Sequence, residues 1–270
     1  MIGSYELDIL ERKEENGMEA FMLTRRQMAE LLLSLCGRRA ESPIQIVQDA
    51  WRKEHRDQVD SGKALPAFLS TDWPAVLEKL IKGQGIKGVS LQEAATLGAR
   101  VEYSSLSITA MQNWVKRDFK PFFESPKAGK KYSLEQAALL YIIDDLKASL
   151  DFESIRQLFE RLFGCGEDGR CRPLLGALEF YLAYSSIFED MDADGDQILD
   201  SGPALTGYGA APLETRVRDA AKAYLDGLER LSELERVTLE NMLLIAVFSV
   251  QAAYFHALTR RYCNATLFLH

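Results

Sequence analysis

No Cys-x-x-Cys pair occurs in this sequence, and its three histidines (His55, His256, His270) stand apart from its four cysteines (Cys36, Cys165, Cys171, Cys263). A structural zinc site needs such ligands at close spacing, so that class is excluded. The cysteines read as free thiols of a reducing cytosol, with Cys165 and Cys171 able to approach across CGEDGRC. Also missing are a Gly-x-Ser-x-Gly elbow, a phosphate loop and a dinucleotide fingerprint. The carboxylates Asp144 and Asp145 are adjacent in a helical pattern and point in different directions, so they are poorly placed as an acid–base pair. No residue is nominated as catalytic, no cofactor is implied, and the expectation is a protein that is not an enzyme.

A clean membrane span is missing too. The most apolar run, Met242–Leu258, is interrupted by Ser249, Gln251 and His256. It falls short of the roughly 20 apolar residues that a bilayer requires, and reads as a buried core or dimer helix. The run MIGSYELDILERKEENG has no basic region leading into an apolar core, so no signal peptide is expected. A cytoplasmic location follows from these readings.

What is present is helical. With 47% hydrophobic and 27% charged residues the chain can bury a core and is not of the disordered class. Capping signals recur: Ser42 before Pro43, Ser90 with Glu93, Ser107, Ser133 with Gln136, and Asp151. Apolar positions such as Leu139, Ile142, Ile143, Leu146 and Leu150 share one helical face. The stretch VDSGKALPAFLSTDWP, with Gly62, Pro66 and Pro74, is the best linker candidate. This gives an N-terminal helical segment at 1–65, a central domain at 66–164 and a C-terminal helical domain at 165–270. Almost no strand is expected beyond one small hairpin.

Charge is unevenly spread. The formal total is −8, yet Met111 to Lys131 holds six cations against Asp118 and Glu124. That stretch is therefore +4 and the remaining chain −12. Leading into it, SITAMQNWVKRD reads as a short helix after another short helix, SLQEAATLGA, and carries the first of these cations; FKPFFESPKAGKK then makes a loop or β-wing. Thr109, Gln112, Asn113 and Lys116 recur at helical spacing and share a face. Amides of this kind pair with adenine edges and lysine with guanine or phosphate. Arg117, Lys120, Lys127, Lys130 and Lys131 would hold phosphates. Met111, Trp114 and Val115 would face inward.

These residues carry two resemblances. Ala94 and Gly98, TAMQNW from Thr109, KKYSLEQ from Lys130 and LDFESI from Leu150 resemble the winged helix-turn-helix of the mercury-resistance-regulator (MerR) superfamily. Gln112 stands where that superfamily has arginine, and the turn ARVEYSS is longer. More closely, LSITAMQNWVK, GKKYS and YIIDDLKASLDFESI make the run from about Leu65 to Phe163 similar to the bacterial family called domain of unknown function 1836. The resemblance implies a mainly α fold: a MerR-like winged helix-turn-helix unit flanked by N- and C-terminal helices. It implies double-stranded DNA as partner, a transcriptional regulator, a homodimer and an unidentified effector. The alternative is a protein-interaction module that keeps the winged scaffold without binding DNA.

One further motif asks for a metal. Asp190, Asp192, Asp194 and Asp196 with Gly195 follow the start of an EF-hand loop, but Ser201 stands where a bidentate glutamate is needed. The default expectation for this segment is a solvated acidic loop.

Overall fold

Thr24, Ser42, Ser90, Ser107 and Asp151 each accept a hydrogen bond from the backbone N–H three residues on, at the start of a helix. The computed structural model describes residues 19–123, 131–164, 173–192, 195–200, 212–228 and 231–269. The described residues are mainly helical. Two compact units divide the chain, Met1–Glu102 with Pro126–Leu134, and Tyr103–Ser125 with Glu135–His270.

In the first unit, α1 (Arg25–Leu35) packs on α2 (Pro43–Glu54), and α2 on α5 (Ala75–Ile81), which meets α6 (Leu91–Gly98). The stretch read as a linker is helical instead, with α3 (Arg56–Asp60) and α4 (Ala64–Ser70). Pro66 lies in the first turn of α4, where a backbone N–H has no intrahelical acceptor and its loss costs nothing. Aromatic packing then ties this segment to its unit. Phe68 lies 6.0 Å from Trp51 and 5.3 Å from Trp73, and Trp51 donates its indole N–H to Thr71.

The few β contacts all close this unit. Strand β1 (Glu19–Ala20) pairs in parallel with β2 (Thr71–Asp72), and Leu23 bridges Val101. Val89 and Tyr132 exchange both backbone hydrogen bonds in an antiparallel bridge. Gly88 is required beside that bridge, since a Cβ there would lie 2.6 Å from the Tyr132 carbonyl oxygen.

In the second unit, α7 (Ile108–Asn113) runs into a π-helical turn, Trp114–Asp118, and a 3₁₀ turn, Lys120–Phe122. Helices α8 (Leu134–Leu146) and α9 (Phe152–Phe163) follow, then α10 (Ala177–Asp190), α11 (Leu213–Asp226) and α12 (Glu233–Leu269). Helices α10, α11 and α12 pack on one another. Tyr181, Tyr184, Leu239, Leu243 and Val247 are among the buried side chains of these helices. At 37 residues, α12 is the longest helix described and runs on to Leu269. No glycine or proline follows Gly227 to stop it.

Candidate nucleic-acid interface

The segment from Ser107 to Phe123 starts from a cap and ends on aromatic packing. Ser107 accepts from the Ala110 N–H at 3.2 Å. Met111, Trp114, Val115 and Phe119 are buried, and Trp114 is only 2% exposed. The π-helical turn explains how both Trp114 and Phe119 turn inward. In an α-helix Asp118 would follow Trp114 onto the buried face at i+4. Here the Phe119 N–H reaches back five residues to the Trp114 carbonyl at 2.8 Å, and the wider turn gives the inward place to Phe119. Phe119 then packs on Phe152 and Phe159 of α9, and Phe122 meets Phe159 edge-on. Trp114 meets Phe152 edge-on at 6.3 Å, while the Lys147 ammonium sits 5.1 Å over its ring. Its ring partners thus lie on α9 and just past the end of α8.

The outward side is polar. Thr109, Gln112, Asn113, Lys116, Arg117 and Lys120 are all exposed. The first four form a row on α7 and the π-helical turn. Lys116 and Lys120 have no ion-pair partner among the described residues. Arg117 differs: its guanidinium donates to the Asp118 carboxylate at 2.7 Å, and that hydrogen bond holds its pKa above the usual arginine value. Asp118 in turn lends its carbonyl to Arg156 of α9.

Lys131 belongs to the first unit and to a different electrostatic setting. Its ammonium lies 3.8 Å from Glu93, which also accepts from Lys79 at 2.6 Å and from the Ser90 N–H at 2.9 Å. Burial opposes ionisation of Glu93, but the hydrogen bonds from Lys79 and Ser90 and the charges of Lys131 and Lys79 outweigh it, bringing the carboxyl down to about 2. The capping box of Ser90 and Glu93 was legible in sequence; the two lysines converging on it were not, because they lie 14 and 38 positions away. Lys127 and Lys130 fall outside the described residues.

Beneath this segment lies a polar cluster that spacing alone did not predict. Asp144 is buried in α8 and accepts from Ser104 Oγ (2.9 Å), the Ser105 N–H (3.0 Å) and Ser105 Oγ (3.3 Å). Lys147 Nζ closes the set at 2.6 Å from Asp144. The same lysine covers Trp114, so the cluster links the turn before α7 to the buried face of the segment. Asp145 points elsewhere and accepts from the buried hydroxyl of Tyr184 on α10 at 2.7 Å. The two adjacent carboxylates therefore serve separate anchors.

The acidic loop is not simply solvated. Asp190 ends α10, Asp192 is buried, and its carboxylate accepts from the Gln197 N–H at 3.1 Å. Gln251 of α12 accepts from the Leu199 N–H and donates to the Gln197 carbonyl. The exposed Asp196 accepts from the Ile198 N–H, and Asp194 is outside the described residues. Among the described residues no group of three or more His, Cys, Asp or Glu side chains could hold a metal ion.

The family model for the domain of unknown function DUF1836 matches residues 89–173. Uncharacterized protein YkrK of Bacillus subtilis (strain 168) is 37% identical over 165 residues, covering 61% of this chain and 67% of that protein. No solved structure matches. The matched span runs from the Val89 bridge through α7, the π-helical turn, α8 and α9, and with this similarity the chain belongs to the DUF1836 family.

Proposed function

We propose that this protein binds double-stranded DNA as a cytoplasmic transcriptional regulator, using a MerR-like winged helix-turn-helix whose second helix is α7. One observation carries the reading: Thr109, Gln112, Asn113 and Lys116 are exposed together above buried Met111, Trp114 and Val115. A polar row with amide and ammonium groups on a firmly seated helix is what base-edge reading requires. Lys116, Arg117 and Lys120 supply positive charge at one end of that row, and the acidic body of the protein limits non-specific attraction elsewhere. The Asp118 partner of Arg117 makes Lys116 and Lys120 the better phosphate ligands.

The test is capture of genomic fragments by the full-length protein and by Gln112→Ala/Asn113→Ala. Both side chains are exposed, so the variant keeps its fold. The expected result is a distinct enriched set with the natural protein and loss of that preference with the variant. Equal enrichment by both, or none by either, counts against base reading by α7. The second reading, a module that binds protein alone, draws on the exposed apolar side chains of α12.

A further inference from the structure

One position recurs every seven residues along α12: Leu234, Asn241, Phe248, Phe255, Tyr262 and Leu269. None of the six is among the buried residues of this helix. Leu234, Phe255, Tyr262 and Leu269 are 78%, 47%, 68% and 74% exposed. From Asn241 to Thr259 the helix carries no Asp, Glu, Lys or Arg, although this span includes outward positions. An outer helix face that meets only water is normally rich in charge. Thr238, Ile245, Ala252, Thr259 and Thr266 each stand four residues after a member of that row and none is buried, so the two rows alternate at the four-three spacing that a second helix covers through a slight left-handed supercoil.

We infer that α12 pairs in parallel with α12 of a second copy of this chain, with Asn241 opposite its own equivalent. Parallel pairing sets each residue of the row against itself. The single polar member, Asn241, then meets an amide that can both donate and accept, the use of a lone asparagine that fixes register in paired helices. A wholly apolar partner would leave this amide against hydrocarbon, at the cost of an unsatisfied buried polar group, and an antiparallel pair covering the whole row would set it against Tyr262 and not against its own equivalent. The area is also sufficient. The row exposes roughly 500 Å² of side chain, taking 150–250 Å² for a whole aromatic ring. The flanking Val237 and Phe268, also exposed, bring it toward the ~800 Å² per partner of a stable interface.

A bilayer is the less suitable occupant, although α12 is long and apolar enough to cross one. Half of its most apolar window is buried inside the protein, and Gln251 within this helix is bonded to residues 197 and 199. A helix lying on a membrane surface also wants a strongly basic polar face, where α12 offers only Arg260 and Arg261 in its exposed half. The pairing does not depend on DNA binding.

Sedimentation of the full chain at micromolar concentration tests the seam, with flotation on phosphatidylglycerol–phosphatidylcholine vesicles as the second arm. The natural protein is expected to sediment as a dimer and not to float. Phe255→Glu/Tyr262→Glu is expected to weaken dimerisation by about 100-fold with unchanged circular dichroism, since both side chains are exposed in one copy. Thr259→Glu, which removes no packed side chain, gives the same readout should the double variant lose its helical signal. Asn241→Leu is expected to admit species larger than a dimer. A natural protein that stays monomeric, with or without flotation, overturns the pairing. So do charged variants that dimerise as before, or Asn241→Leu protein that forms only dimers of unchanged affinity.

Discussion

Trp114 and Phe255 are aromatic residues of the same unit, and they face opposite ways. Trp114 is buried beneath a segment whose outer side carries amides and cations, and Lys147 and Phe152 hold its ring. Phe255 stands half-exposed, one heptad before the exposed Tyr262 on the same row of its helix. An aromatic ring can thus seat a polar surface or form an apolar one. Spacing alone does not tell which, because both residues lie in helices with hydrophobic neighbours. What separates them is the chemistry of the opposite face. Around Trp114 the residues at 112, 113 and 116 are polar, so the ring has to turn inward. Around Phe255 the buried side is already supplied by Leu243, Val247, Val250 and Tyr254.

The largest expected effect tests that contrast directly. Trp114→Ala should lower folding stability by about 3–5 kcal/mol, since it removes a fully enclosed ring. Phe255→Ala should stay within about 0.5 kcal/mol when measured at concentrations where the chain is monomeric. Urea denaturation of both variants checks the pair. Equal losses would erase the distinction between an inward and an outward ring.

Asp144→Ala comes next. Ser104, Ser105 and Lys147 would lose a common partner inside the protein, and breaking a buried pair in this way costs about 3 kcal/mol. The turn before α7 and the lysine over Trp114 would loosen together. Denaturation midpoints with an unchanged m-value would show a loss of stability without a change in compactness. A variant as stable as the natural protein would mean that the carboxylate does not organise this turn.

A smaller effect separates the two settings of positive charge. The folded-state pKa of Glu93 lies near 2, below its ordinary value of 4.5. Its stabilisation is therefore full above about pH 4.5 and is lost as pH falls toward 2. Because Glu93 and Lys79 are partly exposed, the contribution is about 1 kcal/mol. Stability measured from pH 6 down to about pH 2 should fall less steeply in Glu93→Gln than in the natural protein. Parallel curves would remove Glu93 as the anchor of Lys79 and Lys131.

Much of this architecture was legible in the sequence. Ser42, Ser90, Ser107 and Asp151 announced helix starts because an N-cap is a local interaction, complete within three residues. The exposed row at Thr109, Gln112, Asn113 and Lys116 followed from helical spacing, and the burial of Trp114 from the polar chemistry of that row on the opposite face. The rest depended on distant partners. The polar cluster at Asp144 needs residues 39 and 40 positions earlier, and the support for Glu93 needs Lys79 and Lys131. The helix at Ala64–Ser70 was hidden by Pro66, whose position within the first turn cannot be known until the helix start is known. The acidic loop looked solvated because its carboxylates dominate the composition, whereas Gln197 and Gln251 decide where it docks.

The smallest expected effect divides the cations themselves. If α7 and the π-helical turn contact DNA, each lysine that neutralises a phosphate contributes about one unit to the slope of log affinity against log salt. About four phosphates would give a slope near −3.6. Lys116 has no ion-pair partner among the described residues, so its full charge is available. Lys131 already faces Glu93, and binding a phosphate would oblige it to share its charge with a carboxylate that stays ionised. Lys116→Ala should therefore flatten the slope by about one unit, and Lys131→Ala by distinctly less. Folding stability should change by no more than about 0.5 kcal/mol in Lys116→Ala, whose side chain is exposed. Titration of labelled duplex across a range of salt concentrations checks the order. A larger change for Lys131 than for Lys116 would move the phosphate contacts from α7 to the segment that precedes α8, and the row at Thr109, Gln112 and Asn113 would lose its place as the reading surface.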